Sequence, residues 1–322
     1  MRRIADAVVL LWLVLTLTFL LLRAAPGDPA ALLVPPSASA ADVARIRSEL
    51  GLDAPLVVQY ARWAGGVLKG DLGQSFAFRR PVSAVLREAL PVSLGLGAAS
   101  LLLTFLVGVA VGTYQAIHRG RAPDTALTIA TTAVYAAPSY WLALALVAVF
   151  TYGAARWGFP AALRLPAFGV HDPAGEFHGV AAVVDVIRHA ILPVLTLAAI
   201  GAAGIARYAR TAVADLLGMQ FVRTARAKGI APRTLYVRHV IRNALPPLLI
   251  LFALALPGVL AGSVFVETVF AWPGMGHLMV TSILSRDYPV VMGATVIYAA
   301  MVITANLAAD LALPLLDPRR RA

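Results

Sequence analysis

Six long apolar runs set the pattern of this chain: Ile4–Leu22, Val92–Ala116, Thr125–Tyr152, His189–Ala206, Leu245–Phe270 and Tyr288–Leu316. A helix needs about 20 mostly apolar residues to cross a bilayer, and runs of this length meet that need. Lipid offers no hydrogen bonds to the backbone, so Ala/Leu/Val-rich runs predict helices, which satisfy their own. The alternating ten-residue pattern of a membrane barrel is absent. The pattern predicts an all-α membrane protein with six transmembrane helices and both termini on one side.

The intervals predict less regular structure. Ala24–Pro91 is the longest, opening on the turn chemistry of Pro26-Gly27-Asp28-Pro29. Within it Ser39 and Asp42 make a capping box, and Val43, Ile46 and Leu50 share a helical face before Gly51. Gly153–Arg188 is rich in Pro and Gly and carries little helical signal; Ala271–Asp287 reads as a short loop. Three parts follow. Residues 1–91 hold the first span and a long extracytoplasmic loop, 92–316 a five-helix core with an inner loop at 207–246, and 317–322 a basic tail. Gly108 with Gly112, and Gly258 with Gly262, have the four-residue spacing that lets helices approach closely. Pro193 and Pro257 are expected kink sites.

Composition agrees with a membrane protein. Sixty per cent hydrophobic residues and a mean hydropathy of +0.81 exclude an ordinary soluble domain. With no cysteine, disulfides and thiolate metal sites are excluded. The net charge of +11 is explained by topology rather than by nucleic acid. Arg2, Arg3, Arg119, Arg121, eight basic residues between Arg207 and Arg242, and Arg319–Arg321 all fall on one side, mostly in short loops. The positive-inside rule makes that side, with both termini, cytoplasmic. Arg2 and Arg3 followed by an apolar stretch and Ala24-Ala25 also resemble a cleaved signal peptide. Ala7–Leu22 is longer than an ordinary signal core, and Arg23 and Pro26 crowd the cut, so a retained helix is expected.

The remaining polar residues suggest no reaction centre. Glu267 and Asp310 stand near the ends of their runs; intramembrane acids are functional-site candidates, with snorkelling to the interface the equal alternative there, and Asn306 suits interhelical hydrogen bonding. The histidines are scattered, and His171 and His178 lack the spacing of a compact metal site. No G-x-x-x-x-G-K-[ST] phosphate loop occurs, and the lysines are Lys69 and Lys228 alone. With no convergent nucleophile, base or metal set, the chain is not expected to be an enzyme or to bind a cofactor or metal.

The inner loop is the most patterned segment. Val213, Leu217, Phe221 and Ala225 recur every fourth residue as one apolar stripe, with Arg223, Arg226 and Lys228 off it. Gly229 fits a helix end, and Ala231-Pro232 restarts one. Val237, Ile241 and Leu245 predict a second stripe. The expected object is two short helices meeting at a bend, apolar faces inward and basic faces to the cytosol.

The run Phe221-Val222-Arg223-Thr224-Ala225-Arg226-Ala227-Lys228-Gly229, then Arg238-His239 and Arg242-Asn243-Ala244-Leu245-Pro246-Pro247, resembles the EAA loop of binding-protein-dependent ABC importer permeases. It is most similar to the dipeptide, oligopeptide and nickel branch, where Arg223-Thr224-Ala225 stand in place of Glu-Ala-Ala and the stretch from Gly229 to Leu245-Pro246 is longer. Pro26–Pro29, Leu50–Leu56 with Gln59, Tyr60 and Trp63, Gly70–Ser75 with Pro81-Val82, and Glu267–Gly276 with Arg286–Pro289 extend the similarity. These segments look like the first of that branch's two permeases.

The resemblance implies a type I ABC importer permease fold in a bacterial or archaeal inner membrane. It also implies partners: a second homologous permease, two cytoplasmic ATPases that carry ATP and Mg, and an extracytoplasmic substrate-binding protein. Phe221, Arg223, Thr224, Ala225, Arg226, Lys228 and Gly229 would form the ATPase-coupling segment. Dipeptide, oligopeptide, glutathione-like and nickel-complex cargoes all fit. An ion-coupled secondary transporter is the alternative; it needs mid-membrane charge or inverted repeats, and the run centres are nearly free of charge.

Overall fold

A computed structural model describes residues 2–24, 30, 34, 37–173, 175–261 and 264–316. The Pro26–Pro29 turn, Gly262 and the 317–322 tail lie outside the described residues. In chain order the helices are α1 (Arg2–Ala24), α2 (Ala40–Glu49), α3 (Leu56–Leu68), α4 (Val82–Ile117), α5 (Ala122–Ala136), α6 (Ser139–Arg156), α7 (Val180–Leu217), α8 (Gln220–Ala227), α9 (Arg242–Ala261), α10 (Val264–Val269), α11 (Met275–Leu284) and α12 (Tyr288–Leu316). A short turn at Pro232–Thr234 and a π-helical stretch at Leu235–Ile241 lead directly into α9. Among the described residues there is no strand, only an isolated bridge between Gln74 and Pro81, so the protein is all-α as expected. Five stretches are long and apolar enough to cross a membrane: Val82–Ile117, Ser139–Arg156, Val180–Leu217, Pro232–Leu256 and Tyr288–Ala308. The described apolar stretch of α1, Val8–Ala24, is shorter than these.

Several expected boundaries are corrected. The run Thr125–Tyr152 is two helices, broken at Ala137-Pro138. Proline's ring crowds the residue before it out of the α region, and Ala137 sits at φ −72°, ψ 133°. Within the run Leu245–Phe270 the described residues are helical at Arg242–Ala261 and Val264–Val269. The loop Gly153–Arg188 is helical from Val180 on, after Gly179 turns at φ +58°. The short loop Ala271–Asp287 contains α11, and α4 starts ten residues before the expected run and passes through Pro91.

The chain forms two compact units, Met1–Ser93 with Pro273–Ile303, and Leu94–Trp272 with Thr304–Ala322. In the first, Val82, Val85, Leu86 and Ala89 of α4 bury against Met275, Leu278, Val290 and Ala294. Gly293 permits this contact, because a Cβ there would stand 2.6 Å from Val82 Cγ1. Asp287 is fully buried at the head of α12. It accepts hydrogen bonds from Ser75 Oγ (2.5 Å) and the amides of Phe76 (3.1 Å) and Ala77 (3.0 Å). The Gly70–Ser75 and Arg286–Pro289 segments, distant in sequence, are therefore one folded knot. Asp287→Ala would leave those donors unpaired at about 1–3 kcal/mol each. A clear fall in the thermal unfolding temperature is expected, with Asp287→Asn falling less because it keeps an acceptor.

In the second unit α5, α6, α9 and α10 pack around α7. Gly108 and Gly112 of α4 meet α7 directly: a Cβ at Gly112 would come 2.3 Å from the Ala206 carbonyl oxygen, and one at Gly108 2.7 Å from Ile205 Cβ. Backbones this close leave no room for side chains. Gly112→Leu is expected to abolish recovery of monodisperse protein in detergent, whereas Gly258→Leu, at a glycine with open space beside it, is tolerated.

Candidate functional site

The segment linking α7 to α9 is built as a platform with a short exposed helix on it. α7 ends at Gly218, and α8 starts after Met219 leaves helical geometry at φ −74°, ψ 153°. Val222 and Ala225 of α8 are buried against Ala116, Ala209, Val213, Leu235, Val240, Ala244 and Leu248. Phe221, Arg223, Thr224, Arg226 and Lys228 are exposed.

The end of α8 is a Schellman motif. Gly229 takes φ +74°, its N–H donates to the Arg226 carbonyl (3.0 Å), and the Ile230 N–H donates to the Ala225 carbonyl (3.2 Å). Ile230 packs on the same cluster. Ala231, at φ −56°, ψ 139°, then precedes Pro232 at the first turn of the next helical stretch. This joint fixes the angle at which α8 leaves the platform.

Both apolar stripes differ in register from their expected positions. Val222, not Phe221, continues inward from Val213, because the break at Gly218-Met219 interrupts the α period; Phe221 is left 38% exposed. Val237 and Leu245 are exposed, and Leu235, Val240, Ala244 and Leu248 face inward instead. Leu235 and Val240 are five apart, the spacing of a π-turn, and the four-residue spacing resumes from Val240. A π-helical insert is invisible to a search for 3.6-residue periodicity.

An ion pair 86 positions apart braces the platform. Arg210 of α7 donates from Nε to Asp124 Oδ1 (2.8 Å) and from Nη2 to Oδ2 (2.7 Å). Asp124 lies in the first turn of α5, just outside the apolar run, and also accepts from the Gly120 N–H (3.0 Å). Gln115 donates to Thr128 Oγ1 (3.1 Å), and that hydroxyl also bonds Asp124. The Arg210 guanidinium, with these donors, holds the Asp124 carboxyl at about 2, below the ordinary value. A carboxyl whose pKa is lowered by folding stabilises the fold above its unfolded pKa and loses that contribution as pH falls through the folded one. Stability should thus decline between about pH 4 and pH 2, and Asp124→Asn should flatten this part of a melting-temperature profile. Arg210 was expected only as one of the charges that set topology.

Glu267, for which the sequence leaves a functional role and snorkelling to the interface both open, is fully buried, which removes the snorkelling reading. A cavity of about 800 Å³ in the same unit is lined by Arg164, Phe168, Asp172, Asp185, Arg188 and His189 among others. Asp185 Oδ1 stands 3.2 Å from His189 Nδ1 and Oδ2 3.4 Å from His171 Nδ1. Asp185 carried no signal in the sequence, since nothing there places it beside His171.

Residues 108–322 match the family described as binding-protein-dependent transport system inner membrane component, and residues 1–97 match its N-terminal membrane component. The chain belongs to this family. The permease is 36% identical over 319 residues to the oligopeptide transport system permease protein AppB of Bacillus subtilis (strain 168), covering 99% of this chain and 97% of the relative. It is 37% identical to the probable D,D-dipeptide transport system permease protein DdpB of Escherichia coli (strain K12), covering 95% and 92%. To the glutathione transport system permease protein GsiC of Salmonella paratyphi A (strain ATCC 9150 / SARB42) it is 35% identical, covering 100% and 98%. A chain of the solved MetNI methionine ABC transporter covers 73% of the permease and 97% of its own length at TM-score 0.53 and 18% identity, a likeness of fold. The permease is thus an inner-membrane transport component with an ABC importer permease fold.

Proposed function

We propose that the permease forms half of the translocation path of an ATP-driven importer of peptides. The observation that carries this is full-length similarity to permeases named for oligopeptides, D,D-dipeptides and glutathione. In this reading α1 completes a set of six spans with both termini in the cytoplasm. A second, homologous permease completes the path, two ATPases bind and hydrolyse ATP with Mg, and an extracytoplasmic binding protein delivers cargo. This chain binds no nucleotide or metal of its own.

Residues Phe221–Gly229 are the coupling segment. Phe221 supplies an apolar anchor for a groove on the ATPase, Arg223, Arg226 and Lys228 suit an acidic rim, and Thr224 stands among them. Ala225 and Val222 hold the helix to the platform, and Gly229 sets its angle. ATP-driven closure of the ATPases would move α8, and α8 would carry the platform at the ends of α7 and α9. Reconstitution with the partner permease, ATPases and binding protein tests this. Peptide uptake that needs ATP and the binding protein supports it; uptake driven by an ion gradient without ATP overturns it.

A further inference from the structure

Between α1 and α4 the chain carries two helices of opposite character. α2 is polar, has no buried residue, and bears exposed ion pairs, Arg45–Glu49 and Arg47–Asp53. α3 is apolar around most of its circumference. Its Gln59 donates to the carbonyls of Leu52 (3.0 Å) and Ala54 (2.7 Å), turning the narrow polar strip of the helix toward the α2–α3 turn.

On one flank of α3, Tyr60 and Trp63 pack on Phe19 of α1 with ring centroids 5.3 and 5.7 Å apart, and the Tyr60 hydroxyl hydrogen-bonds Thr16 (2.7 Å). The adjoining flank is bare. Val57, Ala61 and Leu68 fall within about 40° of one another on a helix of 3.6 residues per turn. Val57 is 79% and Leu68 89% exposed.

The contact with α1 sets the level of α3 at Tyr60 and Trp63. Phe19 and Thr16 stand about one and two turns below Arg23, the charged residue at that end of α1, or about 6 and 10 Å along the axis. An interfacial helix buries its apolar face by a similar 5–10 Å at the headgroup–acyl boundary. Leu17, Leu20 and Leu21 of α1 are also exposed, so the apolar surface of the span continues onto α3.

We infer that α3 is a membrane-interface helix whose Val57–Ala61–Leu68 flank is covered by lipid of the extracytoplasmic leaflet, while α2 stands in water above it. This rests on the reading of α1 as a membrane span. The occupant is lipid rather than a protein because the flank adjoins the exposed apolar surface of that span, on a helix held to it below its terminal charge.

The absence of cysteine makes the test direct. Single variants Val57→Cys, Leu68→Cys, Arg45→Cys and Leu13→Cys are spin-labelled and assembled with the partner subunits in nanodiscs, without the binding protein. Collision of each label with oxygen, which concentrates in lipid, is compared with collision with a water-soluble nickel chelate. Labels at 57 and 68 are expected to favour oxygen, with nickel collision several-fold below that at 45 and above that at 13. Nickel collision at 57 and 68 equal to that at 45 overturns the inference, as does shielding from both reagents, which would place a protein surface there. Free nickel access at 13 would instead overturn the span reading of α1, and the inference with it.

Discussion

Replacing Val222 by aspartate is expected to release α8 from the permease, while the same change at the adjacent Phe221 leaves it in place. Val222 is wholly buried among Ala209, Val213, Leu235 and Val240. An unpaired carboxylate there costs on the order of 3–5 kcal/mol, more than a helix of eight residues held by two buried side chains can offset. Phe221 is partly exposed, and Phe221→Asp should cost about 1 kcal/mol or less in stability. Limited trypsin digestion reads the difference, because cleavage after Arg223 and Arg226 tracks the population of released α8. Val222→Asp should speed that cleavage by roughly tenfold or more, and Phe221→Asp should leave it near wild type. The two diverge again in function: Phe221→Asp should keep a folded platform yet fail to retain the ATPases on purification. Equal tryptic sensitivity of the two variants would mean that the stripe runs through Phe221 after all.

That comparison also marks where the sequence stopped being legible. Run length and hydropathy place the apolar segments because lipid leaves the backbone one economical solution, and the capping box at Ser39 and the Gly229-Ile230-Ala231-Pro232 joint follow from local backbone chemistry. Both are visible in a window of a few residues. The missed features are of two kinds. Some shift the inward face locally with little signal in the chain: Gly218 at the Gly218-Met219 break keeps a φ open to any residue, and the π-turn at Leu235–Ile241 holds no glycine or proline. Others join distant segments. The Asp124–Arg210 brace, the Ser75–Asp287 knot and the Asp185–His171 contact depend on how the helices pack, which no spacing along the chain encodes. Pro138 differs again, since its signal was present and was outweighed by the hydropathy of its surroundings.

Changing Gly229 is expected to give a graded loss of transport in a transporter that still assembles. At φ +74° glycine is unstrained, whereas an L-residue in this region costs about 1–2 kcal/mol. Open space surrounds the position where a Cβ would be added, so Gly229→Ala should feel this backbone term and little else. If α8 must hold the Schellman geometry to transmit ATPase closure, the competent fraction, and uptake with it, should fall by up to about tenfold. Gly229→Pro is more severe, because its φ is locked near −65° and it has no N–H to donate to the Arg226 carbonyl. The turn can then form only by reorienting α8, and uptake should drop to background. On the proposed role of Phe221 and the basic face, the ATPases should still co-purify, and their basal hydrolysis should persist without stimulation by binding protein and peptide. The buried platform beneath is untouched, so the melting temperature should stay within a few degrees of wild type for both variants. Undiminished uptake by an assembled Gly229→Pro transporter would show that the angle of α8 does not carry the coupling, leaving Phe221 and its cationic neighbours as a tether alone.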